Sequence, residues 1–476
     1  MLLYHYRPID SALLEIGNGT LHFATREELN DPIEGYIRVF WQGDKAAWEG
    51  LFRNYICSLS QAIDLFLLQG DEEVLRHGTL IVDLHRFDNV PLGKILKDLG
   101  DDFLADEEIQ KLAVFYGKNN LQVREAELRY ILHYIHDKAF IMCIRKCKEC
   151  RTISTEMADG LLKIYNSKDF SFPFELMEAE LFDEEHRIKI TKMAEDAMED
   201  LMEFRYVGLG FDDETFLYGK RKGENRQTVK ENVMTEGHQR RNWMTISVDF
   251  PRVYVDQLKD MIYPESYVAC FSGKNNDSAM WGNYADNHKW VCLIYETDKD
   301  NSVTLKMKDG SIRLTAKPVN YEGKLMKCNF FEAFGRLTFK QIRTWLSGVD
   351  GISSAYSAFS DVNEWRNRYW AAYDIKTYRK IKVWEHEDEY RLALTNTFYD
   401  FNEPKSRNLT YEPRAFKGVI FGLRTSEYDK KRVMEKLLEH ADELTDFTFY
   451  QAEYDDEEQS FTIRKKRVWK LHGDNS

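Results

Sequence analysis

Proline is scarce, at nine in 476 residues, so no stretch reads as a proline-rich spacer. The longest apolar runs, such as AIDLFLL, fall far short of the ~20 residues that span a bilayer, and no membrane association is expected. The opening MLLYHYRPID carries a histidine and an arginine by position seven and lacks the roughly 7–15-residue apolar run of a secretory signal, which predicts a cytoplasmic protein. Seven cysteines, an odd number spread over a long chain, suit reduced thiols better than a disulfide framework. Positive charge is also short: the formal net charge of −14 argues against a broad electrostatic footprint for nucleic acid, though not against a local basic groove. Phosphate-binding loops, GxSxG elbows, HExxH pairs and dinucleotide fingerprints are all missing, so chemistry by those routes is not expected.

What the chain has in quantity is apolar and aromatic side chains, 43% and 14% of residues, enough to pack throughout. Its length exceeds the ~250–300 residues at which single cores stop growing, which predicts two domains. Strand signals cluster at both ends. LLYHYR reads as a strand with Leu3, His5 and Arg7 on one face; SALLEIGNG follows as a helix stopped by the glycines at 17 and 19, and Asn30-Asp31-Pro32 marks a turn. After residue 250 come SYVACFS, WVCLIYE and VTLKMKDGSIRL, where Asp309-Gly310 predicts a hairpin. EYRLAL, GVIFGL, DFTFYQAEY and SFTIRKKRV continue the strand pattern. Between them the pattern is helical, for example Met193, Ala194, Ala197, Met198, Leu201 and Met202, and it ends in the polar stretch YGKRKGENRQTVKENVMTEGHQRRN. The expected architecture is α+β: residues 1–36 and 250–476 form one domain, interrupted by a helical insertion at 37–249.

Three segments carry chemistry-bearing side chains. In 277–288, an Asp277 or Ser278 cap precedes a helical face of Met280, Trp281, Tyr284, Ala285 and His288, a pattern that packed core aromatics also produce. In WEHEDEYR, a continuous strand would set Glu385, Glu387 and Glu389 on one face, costly unless those carboxylates are solvated or used. Cys143, Cys147 and Cys150 form CxxxCxxC, a spacing that can ligate an iron–sulfur cluster, but the helical run before them and the lack of alternating strands and helices after them do not suit such an enzyme. A zinc site completed by His133 or His136 is the alternative; its spacing matches no strong finger pattern, and no metal is expected.

Taken together, LYHYR…GTLHFATREELNDPIEG, VACFSGKNNDSAMWGNYADNHKWVCLIYE, KVWEHEDEYRLAL and GVIFGLRTSEYDKKRVMEKLLEH resemble a large bacterial family of unknown function, over residues 1–36 and about 260–450. That family in turn resembles the ADP-ribosyltransferases, whose split sheet places a His or Arg on the first strand, a Ser, Thr or Tyr on a middle strand and a Glu on a later one. The resemblance implies a split-sheet domain that consumes NAD. In it, His5, Arg7, Ser272, Trp281, Tyr284 and His288 bind the dinucleotide, and Glu389, or Glu387 two residues before it, faces the oxocarbenium-like transition state. The implied reaction is transfer of ADP-ribose to an unidentified protein or nucleic acid, in a toxin or phage-defence setting by analogy. NAD hydrolysis and a non-catalytic nucleotide or partner sensor are the alternatives.

Overall fold

The computed structural model describes residues 1–69, 80–81, 83–164, 185–189, 191–193, 245–323, 325–397, 399–444, 446–457 and 460–466. Of the helical stripe from Met193 to Met202, Met193 alone is described, and it is exposed. The rest of that stripe and the polar stretch at 218–242 lie outside the described residues. The fold is mixed α and β. Its strands are, in chain order, β1 (Leu2–Arg7), β2 (Thr20–His22), β3 (Arg38–Phe40), β4 (Ser266–Ser272), β5 (Val291–Glu296), β6 (Ser302–Met307) and β7 (Gly310–Thr315). They continue as β8 (Lys317–Pro318), β9 (Lys327–Asn329), β10 (Glu389–Thr395), β11 (Asn408–Tyr411), β12 (Phe416–Phe421), β13 (Thr448–Asp455) and β14 (Ser460–Lys465). Among the described residues no helix is long and apolar enough to cross a membrane.

The chain divides into two compact units, Met1–Ile37 with Pro264–Met326 and Trp370–Ser476, and Arg38–Tyr263 with Lys327–Tyr369. The boundaries therefore differ from those expected: 250–263 and 327–369 belong with the helices. The reason is aromatic packing within that unit. Phe250 and Tyr254 lie against Tyr55 at ring-centroid distances of 5.5 and 5.0 Å, and Phe330 and Phe331 lie against Trp41 and Trp48, both at 5.6 Å. Such contacts contribute beyond area burial alone. In this same unit Cys143 and Cys147 are buried on the helix Glu125–Glu149, and Cys150 is its exposed C-terminal cap. Burial pushes the Cys147 thiol up to about 11. Among the described residues no group of three His, Cys, Asp or Glu side chains could hold an ion.

The first unit holds a sheet in the order β14-β13-β12-β5-β1-β4-β10-β8 and a second in the order β2-β11-β6-β7. Alternation along β1 sends Leu3 to one face, where it joins Phe271, Leu293, Leu392, Val419 and Phe421 in a core completed by Ile9, Ala12 and Ile16 from the helix Ile9–Asn18. That helix stops at Gly19, whose φ of 60° suits glycine. The opposite face packs Tyr6, Cys292, Ile294 and Ile420 against Met280 and Trp281. The Asp309-Gly310 hairpin forms as expected, with Met307 opposite Gly310. β12 and β13 run parallel, linked through the helix Glu427–Leu438. At Gly418, opposite Thr448 in that ladder, an added Cβ would overlap the Thr448 carbonyl. Gly418→Ala should therefore lower unfolding stability by ~1–3 kcal/mol, read as a lowered denaturation midpoint; an unchanged midpoint would show that the strand pair yields freely.

Candidate functional site

β1 and β4 are neighbours that scarcely pair. On one side β1 pairs with β5 along its length, from Leu2 opposite Glu296 to Arg7 opposite Val291. On the other it meets β4 at a single position, Tyr4 opposite Ser272. Beyond that pair the strands part, and the free edge of β4 is taken at Val268 by Ala24, with N–H···O bonds of 2.8 and 3.0 Å. The gap opens into a cleft of about 240 Å³. It is lined by His5 and Arg7 from β1 and by Ser272, Tyr284, Glu387 and Glu389 from β4 and the elements beyond it. Because strand side chains alternate, and Tyr4 and Glu389 both stand opposite Ser272, His5 and Glu389 reach the split from opposite faces of the sheet.

The β1 wall is organised by Glu15. His5 Nδ1 lies 3.1 Å from Glu15 Oε1, Arg7 Nε donates to Oε2 at 2.9 Å, and the Tyr295 hydroxyl donates to Oε1 at 2.6 Å. Burial would raise the Glu15 carboxyl, but His5, Arg7 and Tyr295 outweigh it and hold it below the usual carboxylate range. Burial lowers His5 despite Glu15, which favours the neutral ring. Since a carboxylate can only accept, Nδ1 carries the proton and Nε2 is left as an acceptor suited to a ribose hydroxyl.

The far wall is a cluster of charges in a dry setting. Lys380, Glu34, Glu387, Glu389 and Arg391 are each no more than 5% exposed. Lys380 Nζ donates to Glu387 Oε2 at 2.6 Å and to Glu389 Oε2 at 3.2 Å. Arg391 grips Glu389 with two N–H groups, at 2.7 and 3.0 Å, donates to the Thr377 carbonyl at 2.7 Å, and contacts Glu34. Burial would raise Glu389, but Arg391 first and Lys380 next hold it well below the usual carboxylate range. Burial alone would lower the Lys380 ammonium; the carboxylates of Glu389, Glu34 and Glu387 outweigh that and raise it. The Glu387 backbone is pinned as well, since its carbonyl accepts the Ser272 hydroxyl at 2.7 Å. Tyr284 donates its hydroxyl to Glu387 Oε1 and accepts from Asn30 Nδ2.

The expected face of three glutamates does not form. Lys382–Glu387 is a 3-10 turn and Asp388 has φ 46°, so the strand begins only at Glu389. Glu385 is exposed on that turn while Glu387 is folded inward. Trp281 and His288 do not line the cleft. Trp281 is fully buried, edge-on to Tyr6 at 5.1 Å, with its indole N–H given to the Asn275 carbonyl. His288 lies beyond the end of the helix Ser278–Tyr284 and stacks on Trp281 at 6.0 Å. The shared face expected for this stripe thus resolves into core for Trp281 and cleft for Tyr284. Sequence reasoning did not single out Lys380 or Glu15, and it read Asn30 and Glu34 only as parts of a turn. Lys380 and Glu15 leave no periodic signal; Asn30 and Glu34 do stand in the quoted NDPIEG motif, whose turn is fixed by the Ile33 N–H donating to Asp31 Oδ1 at 3.0 Å.

No known family model matches the chain, nor does any curated protein or any solved structure.

Proposed function

We propose that the sheet-containing unit is an NAD-consuming ADP-ribosyltransferase that modifies a protein or nucleic acid, with the helical unit selecting the acceptor. The observation that carries the reading is the split between β1 and β4, which brings a histidine and an arginine to the same cleft as a buried carboxylate held by a tyrosine and a lysine. At about 240 Å³ the cleft is smaller than the ~300–1,000 Å³ of drug-sized sites, so it encloses only part of a dinucleotide. We assign to it the ribose whose glycosidic bond breaks. Nε2 of His5 accepts from a ribose hydroxyl of the substrate, and Arg7 meets the pyrophosphate. Ser272 positions the reactive carboxylate rather than touching substrate, because its hydroxyl is spent on the Glu387 carbonyl.

Of the two candidate carboxylates, the geometry favours Glu387. Glu389 faces two cations and is largely neutralised by them, whereas Glu387 shares one lysine and offers its other oxygen to a phenol that can move aside for a ribose hydroxyl. A fixed carboxylate beside the developing oxocarbenium lowers the barrier to breaking the nicotinamide–ribose bond. Tyr284 orients that carboxylate. Tyr284→Phe should slow nicotinamide release roughly tenfold, the loss of one charged hydrogen bond of ~1.5 kcal/mol, and an unchanged rate would remove Tyr284 from the account. Incubation with NAD tests the whole reading: release that requires cell extract marks a transferase, release by the protein alone a hydrolase, and no release a binding protein.

A further inference from the structure

The far wall and the turn beside it hold four buried carboxyls, of Asp31, Glu34, Glu387 and Glu389, against two cations, Lys380 and Arg391. Negative charge is therefore in excess in a place where uncompensated charge is costly. Glu387 and Glu389 hold the cations by direct hydrogen bonds. Glu34 is held by one oxygen only: Arg391 contacts its Oε1, while its Oε2 has no hydrogen bond and stands 3.8 Å from Lys380, although the residue is 3% exposed. Its side chain lines the cleft. A buried carboxyl with unused acceptor capacity beside a reaction site is the group on which the excess charge resolves as a bound proton.

We propose that Glu34 is a further catalytic residue, the proton-exchanging group of this cleft, which takes the proton of the acceptor during ADP-ribose transfer. The acceptor's O–H or N–H bond breaks and its proton passes to the Glu34 carboxylate. The freed electron pair forms the bond to C1′ of the ribose, and the C1′–N bond breaks with its pair going to nicotinamide. The acceptor role rests on the ADP-ribosyl-transfer reading; the proton on Glu34 does not. The groups facing Glu34 are Asp31 from its own turn, Cys270 from β4, Glu389 and Arg391 from β10, and Lys380 from the segment before it. Burial outweighs the two cations, Glu389 and Asp31 add to it, and Glu34 is pushed up from 4.5 to about 7, where a general base works best. A carboxyl raised in the fold contributes stability that is fully present below about 4.5 and is lost as pH rises through about 7.

Two measurements on the full chain test this. Glu34→Gln mimics the protonated form, so it should match the native protein in melting temperature at pH 5 and exceed it at pH 8. A variant that is less stable than the native protein at pH 8, or a difference that does not change with pH, would overturn the assignment. In nicotinamide release with cell extract, the native rate should climb through pH 7, while Glu34→Gln should be slower by ~100-fold or more at pH 8 and lose that climb. A Glu34→Gln profile that keeps both rate and climb removes the base role. Release by neither protein refutes the ADP-ribosyl reading and the base role with it, and the melting comparison then still decides whether Glu34 holds a proton at neutrality.

Discussion

Glu387→Gln should leave the fold and NAD binding nearly unchanged while nicotinamide release falls by ~100-fold or more, the loss seen when one electrostatic group aimed at a transition state is removed. The amide keeps the size of the side chain and can still meet Tyr284 and the neighbouring Lys380. It cannot face a developing positive charge as an anion can. Because the Ser272 hydroxyl holds the Glu387 backbone rather than its side chain, the turn should persist in the variant. A drop in turnover without a comparable change in KM identifies a group acting mainly in the transition state. An unchanged turnover would transfer the role to Glu389 or end the carboxylate mechanism.

Arg391→Met should be the most damaging substitution for stability, costing ~3–5 kcal/mol, because breaking a buried pair leaves charge uncompensated. The guanidinium is 2% exposed and joins Glu389, Glu34 and the Thr377 carbonyl. Its removal strands the Glu389 carboxylate and the Thr377 carbonyl. Urea denaturation of the variant should show a lower midpoint with an unchanged slope, and a loss below about 1 kcal/mol would mean that Lys380 alone satisfies the cluster. The pH dependence carries a second signature. Glu389, held well below the usual carboxylate range by Arg391 and Lys380, contributes stability that is present above about 4.5 and lost as pH falls through its lowered folded value. Arg391→Met should therefore narrow its stability difference from the native protein in acid.

Much of the sheet was legible because strand alternation and turn chemistry are local properties. LLYHYR, SYVACFS, WVCLIYE and EYRLAL are β1, β4, β5 and β10 at or within a residue of the expected places, and the Asp-Gly hairpin formed where its turn residues put it. The carboxylate segment was misread because a period-two pattern cannot reveal a backbone that turns at Asp388 with positive φ. The domain boundary was misplaced for a related reason: 327–369 is rich in aromatics that suit a core of either class, and only the tertiary contacts show which core they enter. Of the expected site residues, His5, Arg7, Ser272, Tyr284, Glu387 and Glu389 come to one cleft, and Trp281 and His288 do not. Lys380 was silent in sequence, and Glu34 legible only as a turn residue, because a single lysine or glutamate among many charged residues gains its meaning from burial.

The central claim is that the β1–β4 cleft breaks the nicotinamide–ribose bond of NAD. The most direct measurement is free nicotinamide released from NAD by the purified full chain, with and without cell extract, set beside Glu387→Gln under the same conditions. The account predicts release by the native protein in the presence of extract and a rate at least ~100-fold lower for the variant. No release by the native protein in either condition, or equal release by both proteins, would contradict it.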